Sequence, residues 1–371
     1  MKNQERHGSF NIDDLIKRID KKLEALDDDI EEEEQTEFEL SFERRMAEKQ
    51  KIEERVKKHL SPKQYAEWTE NRMKPWAKIV ESIPFGQYRT PYITLKGISE
   101  EFDRNIIGRE AEKAEMLRKT ASFIVNGRFR RPLLFVGAPG EGKSCFAKCL
   151  ASALGYPIRY INVPSLNSPI ALCGSERHYE NSRIGGLLQS VIEEEALSVV
   201  FVFDEIDKAV TDSSDGSVEA ALLALFDPMW NGAFTDRSVG VAVDFSRSIF
   251  ICTANDLSSI SEPMRDRMDI IRFEPYTSEQ ALSIVENMTI PRAIESSGVQ
   301  GRVRFAPEVA GEVIRRVGEG SMRDYEKMIE QLVDHAIYML LSKGRKRYTV
   351  TVEDLDKVWP SKKTNPLGFS A

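Results

Sequence analysis

Short apolar runs alternate with longer stretches of helical periodicity over much of the chain, and this alternation sets the expected fold. Leu133 to Val136, Ile158 to Val163, Val199 to Phe203, Ile249 to Cys252 and Ile270 to Phe273 are rich in β-branched and aromatic residues. Segments long enough for a helix separate them. Strands buried on both faces read as near-continuous apolar runs, and helical crossovers are the connections that parallel strands require. The pattern predicts an α/β domain in which a parallel sheet is sandwiched by helices.

The flanks read differently. Ile12, Ile16, Ile19, Leu23, Leu26 and Ile30 recur at alternating spacings of four and three, which places them on one seam of a helix. The series is shorter than a secure coiled coil requires, so a short coiled coil and an amphipathic helix packed on its own domain both stay open. The acidic run Asp27 to Glu34 reads as a solvated face or a loop. A second amphipathic series, Phe38, Phe42, Met46, Ile52, Val56 and Leu60, ends at Ser61-Pro62, where proline suits the first turn of a new helix. Prolines, glycine and aromatics from Pro84 to Leu95 mark a connector. Beyond Thr277 strands are expected to stop. Thr277 with Gln280 spells a capping box, and Ser321 precedes a long amphipathic helix carrying Tyr325, Met328, Ile329, Leu332, Val333 and Ala336. The expected division is a helical extension over 1–83, the α/β domain over 84–275, and a helical lid with a short tail over 276–371.

Composition narrows the classes. With 371 residues, 41% hydrophobic and 30% charged, the chain has room for one large or two medium globular domains. It has no long apolar run, and Met1 to Phe10 lacks the apolar stretch of a secretory signal, so a soluble cytoplasmic protein is expected, with no membrane partner. A formal charge of −8 disfavours a wholesale electrostatic grip on nucleic acid and leaves only local basic surfaces such as Lys343 to Arg347. Cys145, Cys149, Cys173 and Cys252 show neither a close C-x-x-C pair nor histidines at zinc-ligand spacing, and are read as small buried residues.

The chemistry lies at the ends of the apolar runs. Gly137-Ala-Pro-Gly-Glu-Gly-Lys143-Ser144 fits G-x-x-x-x-G-K-[ST] between a strand and a helix beginning near Gly142. In such a loop the backbone of Gly137, Pro139, Gly140, Glu141 and Gly142, continuing to Cys145, closes around phosphate oxygens. Lys143 reaches the β- and γ-phosphates of ATP, and Ser144 ligates Mg2+. Val199 to Phe203 delivers Asp204 and Glu205 at its C-terminal end, the edge where α/β sheets bind ligands. Asp204 is the candidate for the magnesium shell, and Glu205 for the base that polarises the attacking water. Asn255 ends another buried run and is the candidate to orient that water.

These residues resemble the AAA+ module of Lon-type proteases, with a likeness running from about Tyr65 to Trp359. Trp76-Ala-Lys-Ile-Val-Glu-Ser-Ile-Pro-Phe-Gly86 looks like the family's helix ending in a Leu-Pro-Trp element. Ile106-Ile107-Gly108 resembles its adenine-side segment. Asp204 to Lys208, Ala221 to Pro228, Ala233 to Asp236 and Asp266 to Met268 follow in the family's order and spacing.

The resemblance implies further roles. Arg267 matches the arginine finger that reaches a neighbouring subunit's γ-phosphate, with Arg265 as the alternative, and Arg323 matches the sensor-2 arginine of the lid. A homo-oligomeric ring, hexameric by family analogy, is implied, acting on a protein substrate. Tyr179 falls where Lon-like subunits carry a pore-loop aromatic, although Glu180 stands where the family usually has an apolar residue. Only residues 361–371 follow Pro360, so the family's Ser-Lys peptidase domain is not expected, nor its large N-terminal substrate domain. Proteolysis would then require a separate protease or adaptor partner. The resulting expectation is a remodelling ATPase. A nucleic-acid-associated AAA+ protein (a loader, or a transposition or defence component) and a nucleotide-gated scaffold are the alternatives.

Overall fold

The structure, a computed structural model, describes residues 61–89, 94–175, 182–209, 217–318 and 320–359, with isolated helical positions between 47 and 57. The residues of both N-terminal amphipathic series, and Tyr179, lie outside the described residues.

All five apolar runs become strands of one sheet. They are β1 (Leu133–Val136), β2 (Ile158–Asn162), β3 (Val200–Asp204), β6 (Ile249–Ala254) and β7 (Asp269–Arg272). Their order is β2-β3-β6-β1-β7, and every pairing is parallel. Val136 pairs with Ala254, and Asn162 with Asp204. Two short antiparallel strands, β4 (Phe234–Thr235) and β5 (Ala242–Val243), form a separate ribbon.

Strand side chains alternate between two cores, as the period of two requires. Leu134, Phe201, Phe203, Phe250 and Cys252 enter one buried cluster, and Leu133, Phe135, Val200, Val202 and Ile251 enter the other. The helices Leu95–Asn105 and Lys143–Leu154 close the second face, where Phe146 meets Phe135 edge-on with ring centroids 5.8 Å apart. On the first face lie the helices Lys74–Ser82 and Val218–Phe226. Trp76 and Val80 share that core with the sheet, and the Trp76 indole Nε1 donates to the Val239 carbonyl at 3.1 Å. Indole N–H groups find acceptors when buried because an unmet donor is costly.

A third core gathers Val285, Val309, Val313, Met328, Leu332 and Leu355 around the helix Met322–Ser342. Both capping signals read from sequence form: Thr277 and Gln280 cap each other, as do Ser321 and Asp324. The expectation that strands stop at Thr277 is corrected. β8 (Val303–Phe305) and β9 (Tyr348–Val350) pair in parallel, burying Val303 and Val350 while Arg304 and Thr349 face outward. Three residues are too few for an alternating pattern to register against helical neighbours. Among the described residues no helix is long and apolar enough to cross a membrane.

Candidate nucleotide site

Because the strands are parallel, their C-terminal ends share one edge, and the loops leaving β1, β3 and β6 converge there. The loop after β1 is shaped by its glycines. A Cβ on Gly137 would come within 2.4 Å of the Phe273 carbonyl oxygen, while Gly140 and Gly142 adopt left-handed φ of 88° and 81°. The loop then enters the helix Lys143–Leu154, whose first turn offers free backbone N–H groups.

The cavity beside this loop has a volume of about 280 Å³. It is lined by Ile107, Pro139, Gly140, Glu141, Gly142, Lys143, Ser144, Cys145, Asp204, Glu205, Asn255 and Arg323, among others. Of the remaining sequence candidates, Gly137 and Gly108 shape its walls without lining it, Gly108 with φ of 69° against the Gln280 side chain. Cys145 corrects the expectation of four buried cysteines: it is exposed, because it follows Ser144 in the first turn of the helix. The other three are buried, and burial pushes the Cys149 thiol up to about 12.

Lys143 is only 8% exposed. Its Nζ donates to the carbonyls of Gly137 (2.5 Å) and Ala138 (3.0 Å) and to Asn255 Oδ1 (3.1 Å). Burial pulls this ammonium below the usual lysine range; nearby Asp204 opposes the shift and Arg323 adds to it. A desolvated cation ringed by weak neutral acceptors binds an incoming anion strongly.

β3 and β6 hold the acidic side. Thr253 Oγ1 donates to Asp204 Oδ1 and itself accepts from the Glu205 N–H at 3.1 Å. Glu205 sits in a left-handed backbone with φ of 57°, a conformation that costs a non-glycine residue about 1–2 kcal/mol. Its Oε2 accepts from Lys208 Nζ at 2.8 Å. Asp207 Oδ2 accepts the Asn255 backbone N–H at 3.2 Å, fixing the turn after β6. Ser144 and Asp204 both face the cavity, and the described residues contain no group of three or more His, Cys, Asp or Glu able to hold a metal. One hydroxyl and one carboxylate fit Mg2+, which keeps waters and takes its remaining ligands from phosphates.

Two arginines approach differently. Arg323 belongs to the first turn of the helix Met322–Ser342, whose start lies against the phosphate loop: a Cβ on Gly140 would come within 2.9 Å of Ser321 Cβ. Arg267 does not line the cavity; its Nη2 lies 3.6 Å from Asp227 Oδ2 on the surface. Arg267 thus holds a surface ion pair, while the Arg265 Nε is buried and has no hydrogen-bond partner among the described residues. Tyr179 lies outside the described residues, but the flanks of its segment join where Ser175 N–H donates to the Arg183 carbonyl at 3.0 Å, and Gly185 N–H donates to Asp236 Oδ2 at 2.7 Å.

Sequence reasoning assigned no part to Thr253, Asp207, Lys208, Tyr276 or Arg109. A signal existed for the last. Glu141 is an acid inside a loop built for anions, and such a charge calls for a buried cation beside it.

Residues 133–276 match the model of the ATPase family associated with various cellular activities (AAA). The chain is similar to Lon protease of Elusimicrobium minutum, 29% identical with 95% of this chain and 43% of the relative covered. Lon protease 2 of Thermus thermophilus is 34% identical over 60% of this chain and 28% of its own length. The mitochondrial Lon protease homolog 1 of Dictyostelium discoideum is 29% identical over 80% of this chain and 30% of its own length. The chain thus spans less than half the length of these curated relatives.

Proposed function

We propose that this chain, an ATP-hydrolysing AAA+ module of the Lon type, couples turnover in a ring of identical subunits to the unfolding or remodelling of a polypeptide. The observation that carries the reading is the division of the arginines. The cavity gathers Lys143, Asp204, Glu205, Asn255 and Arg323, whereas Arg267 lies outside it on the surface. An arginine that stands outside the cavity and on the surface is free to serve the site of a neighbouring subunit.

In this reading Lys143 and the loop N–H groups bind the β- and γ-phosphates. Glu205 takes a proton from the attacking water as its oxygen bonds to the γ-phosphorus and the bond to the β-phosphate oxygen breaks, releasing ADP. Asn255 orients that water. Mg2+, held by Ser144 and Asp204, supplies charge neutralisation when bound. Arg323 senses the nucleotide from the lid, which is taken to begin near residue 276, and Tyr179 is the candidate substrate contact. The relatives are named as proteases, which favours a polypeptide over nucleic acid as the substrate, and so does the net charge of −8.

The test is steady-state ATP hydrolysis at an assembling concentration, with unfolded polypeptide or with single- or double-stranded DNA added. Stimulation by polypeptide alone is expected. Stimulation by DNA alone would replace this reading with the nucleic-acid one.

A further inference from the structure

The nucleotide cavity is bordered by a charged cluster that the hydrolysis chemistry does not use. Arg109, Glu112 and Glu141 are 6%, 9% and 6% exposed, a degree of burial rare for charged residues. Arg109 Nη2 donates to both the carbonyl oxygen and Oε2 of Glu141, each at 2.9 Å. Its Nη1 donates to Glu112 Oε1 at 3.1 Å and to the Glu274 carbonyl. The guanidinium plane lies 3.8 Å from the Tyr276 ring centroid, and the Tyr276 N–H donates to the same Glu141 Oε2 at 3.2 Å.

One side chain therefore ties together three segments that border the cavity. Gly108 and Arg109 enter the helix Glu110–Asn126 from the adenine-side turn, and Arg109 itself holds a left-handed φ of 63° to reach its partners. Glu141 lies inside the phosphate loop. Glu274 and Tyr276 lie on the strap that runs from β7 to the helix Ser278–Ile284, the start of the segment that leads on to Arg323. The charges explain why an arginine is needed. A lone carboxylate in the phosphate loop would repel a polyphosphate at short range in a poorly solvated cavity. Apolar residues fill such positions without that penalty, so an acid here is worth keeping only if its pairing does something more.

The geometry points to Arg109 as a positioning residue for ATP hydrolysis: it neutralises Glu141 in the phosphate loop and fastens that loop to the Glu274–Tyr276 strap, so that loop and Arg323 move as one unit. The inference rests on the ATPase activity alone and is independent of the substrate that the motor acts on.

The two parts of this role separate in a mutant cycle. In a Glu112→Gln background, which removes the charge of the cluster's second carboxylate, Arg109→Leu leaves Glu141 unneutralised, Glu141→Val removes that carboxylate, and the double variant restores charge balance without the link to the strap. Three readouts are taken on the full chain with oligomeric state matched by light scattering: thermal midpoint, Kd for a non-hydrolysable ATP analogue, and kcat. Arg109→Leu should weaken analogue binding about tenfold or more, since an unpaired buried charge is left beside the phosphates. The double variant should recover the parent's midpoint and bring Kd within about threefold of it, yet keep kcat about tenfold or more lower, because Arg323 is no longer held in register. Arg109→Lys, which retains the charge but not the forked donors, should bind like the parent and turn over like the double variant. If Arg109→Leu fails to fold, the double variant and Arg109→Lys carry the test. Recovery of both Kd and kcat in the double variant would reduce the cluster to a structural staple and overturn the inference. So would parent-like kcat in Arg109→Lys, or a double variant that folds but binds no analogue.

Discussion

Arg267 Nη2 stands 3.6 Å from Asp227 Oδ2, on the surface and outside the cavity that holds Lys143 and Glu205. Exposed ion pairs of this length contribute little, so the arginine is readily drawn away by a stronger anion. A neighbouring subunit's bound nucleotide would be such an anion.

A complementation experiment follows. Lys143→Ala and Arg267→Ala chains are each expected to lose about 10³-fold in turnover when assembled alone. Mixed in equal amounts, they should regain activity, because random assembly in the proposed ring would place an intact loop beside an intact arginine at roughly a quarter of the interfaces. Hydrolysis that stays at the level of the single variants after subunit exchange would place the essential arginine within the same subunit.

Lys208 holds the carboxylate assigned as the base, donating to Glu205 Oε2 at 2.8 Å. Both side chains are partly exposed, so the pair is weak. In Lys208→Ala, turnover without protein substrate should rise by less than about fivefold, with KM for ATP unchanged, since only the availability of the base is altered. A fall in turnover would instead make Lys208 part of the catalytic arrangement.

Trp76 anchors the helix Lys74–Ser82 to the sheet domain through its buried ring and its bond to the Val239 carbonyl. Trp76→Ala should lower stability by about 3–5 kcal/mol through the cavity it leaves. Chemical denaturation reads this directly. A loss below about 1 kcal/mol would mean that the helix docks only loosely.

Asp354 gives the helix Val352–Val358 an acid-sensitive element. Burial raises its affinity for a proton, but Lys357, the Tyr348 hydroxyl and the Thr351 N–H outweigh burial and hold the carboxyl down at about 2. Its pKa is thus below the unfolded value of about 3.9, so its stabilisation is fully present above that value and fades as pH falls toward 2. The difference in thermal midpoint between the parent and Asp354→Ala should therefore be constant near neutrality and shrink between about pH 4 and pH 2. A difference that does not change across that window would remove Asp354 from the acid response.

What the sequence reveals depends on how local each signal is. The central strands β1, β3 and β6 are legible because burial on both faces forces apolar runs such as Val200 to Phe203, and the phosphate loop because glycine, lysine and serine must recur at fixed spacing. β8 and β9 are not, since three residues carry no period and their partners lie more than forty positions apart. The Arg109 cluster is hidden for the same reason: its partners Glu141 and Glu274 are 32 and 165 positions away. Asp207 stands in a recognised motif, yet its bond to the Asn255 N–H is set by the order of β3 and β6 in the sheet, which only the fold reveals.

The most direct test of a polypeptide motor uses a folded fluorescent protein carrying an unstructured tail, incubated with assembled protein and ATP. Loss of fluorescence is expected with ATP, and not with a non-hydrolysable analogue or with Glu205→Gln chains, which should bind ATP but turn it over about 10²–10⁴-fold more slowly. Peptide release in the same incubations measures whether proteolysis accompanies unfolding. Vigorous ATP hydrolysis that leaves every tailed reporter folded, while DNA accelerates it, would contradict the assignment.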